Sequence, residues 1–465
     1  MKIRSLFAVF FAISSLFVSS NAMFAFETRV IEWGQDGQIT DLKINDAVAV
    51  SSGQMSVAVL RRNGKVTVSG YWATWGGSEE LRDIVAIASG ELVGIAVDKN
   101  QNLRSWGMYR DKLNPPDLAL HDIVAVAADN STGFNGPGHQ LVLRADGRPI
   151  AWGLNWFYTD LYNIPTDLVD AIAISASFYY NMAIRRNGEF VQWGKGWYVF
   201  DDSFVSTLPP PQNLKVVSVS NNSNHALAAT TEGNVVACGN LYNGVCNVPP
   251  NAKNIVMVSA GTDFSVALTE SGEVITWGND KWGGFKTPAG LKGAIAISAG
   301  RDSCAAIICE ELASAAPYIY AQPGSRTAEM GQSTYFVVYP TGMPPFSYQW
   351  YRNNTKIAGA KSQVLYIENV RPEHAGEYKV EVANKHGAMM SEPATLNTKG
   401  ILLDSPVYVP CTLVFGEPGV NYMLQVSTDN GITWKNLGTV PGTPYSWYYD
   451  YSNIDKYNLL YRLVK

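Results

Sequence analysis

Ile255-Val-Met-Val-Ser-Ala-Gly261, then Phe264-Ser-Val-Ala-Leu268, then Ser271-Gly272-Glu-Val-Ile-Thr-Trp277-Gly278. An apolar strand and a second short strand lead through a glycine turn to a third strand that ends in Trp-Gly. Alternating apolar runs separated by such turns mark antiparallel strands. The Trp-Gly position recurs at Trp33, Trp106, Trp152 and Trp193, and in degenerate form at Ser69-Gly70 and Cys238-Gly239. These seven copies are spaced by roughly 36 to 46 residues, the period of a propeller blade or a solenoid repeat. The first strand of the unit also occurs seven times, beginning near Ala47, Ile84, Ile123, Ile172, Val216, Ile255 and Ala294. The phase of the two series decides between the architectures. Trp33-Gly34 has no apolar strand before it, and the pair Ala294 to Ile308 has no Trp-Gly after it. Each end is half a unit, and the halves complete one another, which removes the exposed strand edges of an open array. The pattern predicts an all-β chain with a closed seven-bladed β-propeller over residues 26–310.

The same stretch resembles the repeat of the regulator-of-chromosome-condensation family. Trp277-Gly-Asn-Asp-Lys-Trp-Gly-Gly-Phe-Lys-Thr-Pro288-Ala-Gly-Leu291 carries a Pro-x-x-Leu element before the next blade, similar to the compact bacterial form in propeller-type β-lactamase inhibitor proteins. Asn163-Ile-Pro165 and Asn247-Val-Pro249 echo it. The resemblance implies a binding module. The target of those inhibitors does not transfer with it, because a fold does not fix a function.

Two smaller units follow. Over 316–398, Trp350 in Phe-Ser-Tyr-Gln-Trp-Tyr-Arg and Tyr378 in His374-Ala-Gly-Glu-Tyr378 resemble the third-strand tryptophan and tyrosine corner of an immunoglobulin-like sandwich. The family's disulfide is absent: Val380 stands where one cysteine is usual, and Phe336 or Val338 is opposite. Residues 401–465 read as a small C-terminal β domain. Within it Ser427-Thr-Asp429-Asn-Gly431-Ile-Thr433-Trp434 resembles the Asp-box of sialidases. That box is a hairpin turn, with Asp429 accepting backbone N–H groups and Trp434 packing beneath, and the catalytic groups of a sialidase do not accompany it.

Residues 1–22 read as a signal peptide. Lys2 and Arg4 precede an apolar run from Leu6 to Val18, and Ser20-Asn21-Ala22 supplies small residues for cleavage. The reading places the mature chain outside the cell, secreted or at the surface, with no transmembrane segment. The net charge of −5 and the lack of a Lys/Arg stripe argue against a nucleic-acid partner. Five cysteines are few for an exported framework. Cys304 and Cys309 lie on opposite sides of a strand, whereas Cys238 and Cys246 flank a turn and could pair or stay as thiols.

No catalytic, metal or cofactor pattern emerges. The chain lacks His-Glu-x-x-His, paired Cys-x-x-Cys, a phosphate-cradling glycine loop and Gly-x-Ser-x-Gly. His139 and His225 fall at a repeat position also held by Met55, Val93, Tyr180, Phe264 and Ser303, which reads as a packing site. The unusual feature is aromatic density just after Trp-Gly: Trp72 and Trp75, Tyr109, Trp156, Phe157 and Tyr158, Trp197 and Tyr198, Tyr242, and Trp282. One such segment per blade places these residues on one rim. Exposed, they make a recognition surface for a protein partner, since Trp and Tyr bury large area at low rotamer cost. The alternatives are a glycan-binding protein or glycosidase that stacks sugars there, and a structural cell-surface protein in which the same rings cover the blade ends.

Overall fold

Strands of four to six residues fold here into small antiparallel sheets, because each apolar run is followed within a few residues by a turn. The computed structural model describes residues 26–399 apart from 35–37, 55, 71–76, 91, 109–119, 130–138, 154–158, 178–179, 195–213, 222–224, 240–242, 280–285 and 302, together with the backbone of 421–427, 435–441 and 460–464. After β1 (Arg29–Gly34) and β2 (Ile39–Asp41), six three-stranded sheets follow in chain order. The first is β3 (Ala47–Ser52), β4 (Ser56–Arg61) and β5 (Val66–Gly70). The second is β6 (Ile84–Ser89), β7 (Val93–Asp98) and β8 (Leu103–Gly107), and the third β9 (Ile123–Ala128), β10 (His139–Arg144) and β11 (Pro149–Gly153). The fourth is β12 (Ala171–Ala176), β13 (Asn181–Arg185) and β14 (Phe190–Trp193), and the fifth β15 (Val216–Asn221), β16 (His225–Thr230) and β17 (Val235–Gly239). The sixth is β18 (Ile255–Ala260), β19 (Phe264–Thr269) and β20 (Val274–Gly278). The seventh is assembled from both ends of the region. β21 (Ala294–Ala299) and β22 (Ser303–Ile308) are joined by β1, so that Trp33 faces Cys304 and Gly34 faces Ser303.

Each sheet packs on the next in chain order, and the seventh packs on the first. Two sets of hydrogen bonds tie neighbours together. At the hairpin end, the first N–H of a sheet donates to the preceding sheet's turn, as in Ile84 to Gly64 (3.0 Å), Ala171 to Gly147 (3.0 Å) and Ala294 to Gly272 (3.0 Å). No such hairpin precedes β3, and Ala47 N donates instead to Thr28 Oγ1 at 2.8 Å. At the other end, a serine on one first strand accepts an N–H from the next. Ser51 accepts from Ser89 (2.8 Å), Ser220 from Ala260 (3.0 Å), Ser259 from Ala299 (2.8 Å) and Ser298 from Ser52 (2.8 Å), with Ser175 accepting from Asn221 (3.2 Å). Each first strand also bulges at its second residue, as at Val85 and Val124, which leaves that residue outside the ladder.

Register also corrects one alignment. Ser56, not Met55, is the residue opposite the Trp-Gly glycine in the first sheet.

After α1 (Glu310–Ala313), an immunoglobulin-like sandwich follows: β23 (Tyr318–Ala321), β24 (Arg326–Glu329), β25 (Thr334–Val337), β26 (Tyr339–Thr341), β27 (Ser347–Arg352), β28 (Thr355–Lys356), β29 (Val364–Ile367), β30 (Gly376–Asn384), β31 (Gly387–Met390) and β32 (Ala394–Lys399). Trp350 pairs with Val380, and both are buried with Phe336 and Val338. Phe336 stacks on Tyr378 with ring centroids 4.6 Å apart, and Tyr378 Oη donates to His374 O at 2.6 Å. Apolar packing thus stands where the family places its disulfide. The tail backbone forms β33 (Asn421–Ser427), β34 (Lys435–Pro441) and β35 (Leu460–Val464) in one antiparallel sheet.

This sandwich is seated on the hairpin end of the seven sheets. Tyr320 Oη donates to Val85 O (2.9 Å) and Tyr339 Oη to Val124 O (3.1 Å). Gln101 Oε1 accepts from Arg326 Nη2 (2.6 Å) and from Tyr335 Oη (3.3 Å). Tyr335, Val337 and Tyr339 share one apolar core with the second, third and fourth sheets, and Met343 enters that of the sixth and seventh.

Candidate binding face

Five of the third strands end in a glycine at positive φ, Gly70 (99°), Gly107 (97°), Gly153 (136°), Gly239 (132°) and Gly278 (117°), and β14 is followed directly by another, Gly194 (102°). Side chains disfavour that conformation. At Gly107 and Gly278 an added Cβ would also lie 2.7 Å from the carbonyl oxygens of Leu92 and Asp263. The chain therefore leaves each sheet at the same topological point. Gly70, Gly107, Gly153, Gly239 and Gly278 each lie opposite the first residue of the second strand, the end away from the hairpins.

The tryptophan before the glycine is structural. Trp33, Trp106, Trp152 and Trp193 are buried. Trp193 Nε1 donates to Leu161 O (3.2 Å), and Trp277 Nε1 to Val245 O (2.7 Å). Leu161 and Val245 open equivalent segments, Leu161-Tyr-Asn-Ile-Pro165 and Val245-Cys-Asn-Val-Pro249. The same two carbonyls accept from Asn181 Nδ2 (3.1 Å) and Ser265 Oγ (3.0 Å). These two side chains in turn meet His139 Nε2 (2.7 Å) and His225 Nε2 (2.8 Å) of the preceding sheet. Two copies of one buried network, imidazole to polar side chain to carbonyl to indole, pin a connecting segment between neighbouring sheets. Burial pushes the His225 imidazole down to about 3, so the ring is neutral at ordinary pH. The two histidines therefore do more than fill a packing position. Their polar partners, Asn181 and Ser265, sit one register step along the next sheet, a relation visible only once the sheets are placed side by side.

The proline element that follows is a hydrogen-bonded turn. Leu168 N donates to Pro165 O (3.0 Å), Ala252 N to Pro249 O (2.9 Å) and Leu291 N to Pro288 O (3.2 Å).

The aromatic positions singled out in the sequence, Trp72, Trp75, Tyr109, Trp156, Phe157, Tyr158, Trp197, Tyr198, Tyr242 and Trp282, lie outside the described residues, as do Asp429 and Trp434. Their anchors are described. Around them, Asn243 Nδ2 donates to Asp263 Oδ1 (2.7 Å) and Asn279 Nδ2 to Asn243 Oδ1 (3.4 Å), so three polar side chains of neighbouring repeats meet at the loop end. Trp350 and Tyr378 lie in the sandwich core. Cys238, Cys246, Cys304 and Cys309 are free thiols. Burial raises all four, Cys246 to about 11 with help from Cys238 beside it, and Cys304 and Cys309 belong to different core clusters. Among the described residues, no group of three or more His, Cys, Asp or Glu is placed to hold a metal, and no helix is long and apolar enough to cross a membrane.

Comparison with known proteins adds two assignments. Residues 316–384 match the family model of the immunoglobulin domain, and residues 255–281 match that of the regulator of chromosome condensation (RCC1) repeat. The chain is also similar to human (Homo sapiens) cartilage intermediate layer protein 2, 34% identical over 84 residues. That match covers 17% of this chain and 7% of the length of the relative. Among solved structures, titin M4 is 23% identical over 18% of this chain and 98% of its own, with a TM-score of 0.17. A chimeric titin Z1Z2 is 26% identical over 19% and 98% (TM-score 0.17), and the tandem immunoglobulin repeats of Dlar are 21% identical over 25% and 73% (TM-score 0.18). The two domain types together point to a protein-interaction role.

Proposed function

We propose that this is an exported interaction protein in which a seven-bladed β-propeller of compact bacterial type presents an aromatic rim to a protein partner. The domains would be a signal peptide (1–22), the propeller (26–310), the immunoglobulin-like domain (316–398) and a C-terminal β domain (401–465). The observation that carries the reading is an opposition of ends. The immunoglobulin-like domain hydrogen-bonds at the hairpin end, through Val85, Val124 and Gln101, while the glycines that launch the aromatic segments lie at the other end. In this reading the rim faces away from the immunoglobulin-like domain and is used by another molecule. Aromatic side chains clustered on such a face carry most of the free energy of a protein interface. Export rests on the basic start, the apolar run and the small residues before position 23.

The test is retention by the immobilised mature chain of secreted proteins from its source and, separately, of a polysaccharide panel. The reading predicts a retained polypeptide whose binding falls by tenfold or more in the Trp156→Ala/Trp197→Ala variant. Retention of a polysaccharide with the same sensitivity would replace the protein partner by a glycan. Retention of neither, or no effect of the two substitutions, would refute the rim.

A further inference from the structure

The serine that ties one first strand to the next is present at five of the seven joints. It is Ser51 between the first and second sheets, Ser175, Ser220 and Ser259 in the fourth to sixth, and Ser298 between the seventh and the first. In the same register Ala88 stands between the second and third sheets, and Ala127 between the third and fourth. A methyl group accepts no hydrogen bond. At the joint after Ala127 a buried side-chain bond spans the gap, His139 Nε2 to Asn181 Oδ1 at 2.7 Å. At the joint after Ala88 the corresponding residue of the second sheet is Val93, which has nothing to offer. The backbone bond at the hairpin end is also long there, Ile123 N to Gln101 O at 3.4 Å, against 2.9–3.0 Å at the other five hairpin joints.

That joint is where the immunoglobulin-like domain makes its hydroxyl contacts. Tyr320 and Tyr339 stand side by side with ring centroids 6.2 Å apart, one on β23 and the other on β26. One donates to Val85 O of the second sheet and the other to Val124 O of the third. Both acceptors are bulge residues, whose carbonyls stand outside the sheet ladder and need a partner. Arg326 and Tyr335 hold Gln101, in the turn that makes the long bond.

We propose that the immunoglobulin-like domain is a clamp on the ring of sheets, bridging through Tyr320 and Tyr339 the one joint that has neither the serine nor the histidine tie. Its role is then intramolecular, and it holds whatever the ring binds.

Hydrogen–deuterium exchange on the full chain tests this. Tyr320→Phe/Tyr339→Phe keeps the rings and removes both hydroxyls. The clamp predicts faster exchange by about five- to tenfold per hydroxyl in 84–89 and 123–128, with 255–260 and 294–299 unchanged. Adding Ala88→Ser to that variant supplies the missing acceptor for the Ala128 N–H, and should return most of the lost protection. Ser259→Ala serves as calibration, raising exchange at 294–299. A uniform rise across all sheets, no rise at all, or no recovery with Ala88→Ser while Ser259→Ala has its effect would each overturn the clamp.

Discussion

Replacing Thr28 by valine removes one hydroxyl at the point where the last sheet meets the first. At six joints the first N–H of a sheet is accepted by a backbone carbonyl, which no substitution can delete. At the seventh the acceptor is the Thr28 side chain, 2.8 Å from Ala47 N. Thr28 is 1% exposed and Ala47 fully buried, so water does not replace the lost oxygen. Valine matches threonine in shape, which confines the change to one orphaned buried N–H, costing about 1–3 kcal/mol. Read locally, this is about five- to hundredfold faster amide exchange in β3, 47–52, measured on the native full chain. Thr40→Val, on exposed β2, is the control and should change stability by less than about 0.5 kcal/mol. Exchange in 47–52 unaltered by Thr28→Val would refute the view that this hydroxyl stands in for the missing hairpin.

The neutral, buried His225 gives a pH dependence. Its folded value lies near 3, below the ordinary range near 6.5, so the unfolded chain binds the proton more readily. Stability is complete above about pH 6.5 and is lost as pH falls toward 3. His225→Phe, the residue that Phe264 supplies at the equivalent position, should flatten that part of the thermal-melt profile while lowering stability at pH 7 through loss of the Ser265 bond. Tyr378→Phe removes the corner bond to His374 O and should cost the immunoglobulin-like domain about 0.5–1.5 kcal/mol by denaturant melting, with the Phe336 stack retained.

The strand pairs and the pairing of β1 with β22 were readable because a period-two pattern and a Trp-Gly landmark repeat often enough to fix phase. Small side chains at the ends of the first strands were readable too, but not their purpose. Ser51 and Ala88 differ in consequence only when the neighbouring strand's N–H is in place beside them. The docking of the immunoglobulin-like domain left a trace that reading for a sandwich passes over. From Tyr335 to Tyr339 both faces of the strand are apolar, Phe336 and Val338 inward, Tyr335, Val337 and Tyr339 outward. A strand with one solvated face alternates, so this run announces a second buried surface. The one-residue slip between Met55 and Ser56 had a similar cause. Both flank an apolar run, and only pairing with Gly70 decides which begins it.

The rim itself is tested most directly by hydroxyl-radical footprinting of the full chain, read tryptophan by tryptophan. Trp33, Trp106, Trp152, Trp193 and Trp350 are buried and serve as internal references. The account predicts that Trp72, Trp75, Trp156, Trp197 and Trp282 oxidise at least about tenfold faster than that set, and are protected together when the partner binds. Oxidation of the five at the rate of the buried references would contradict it.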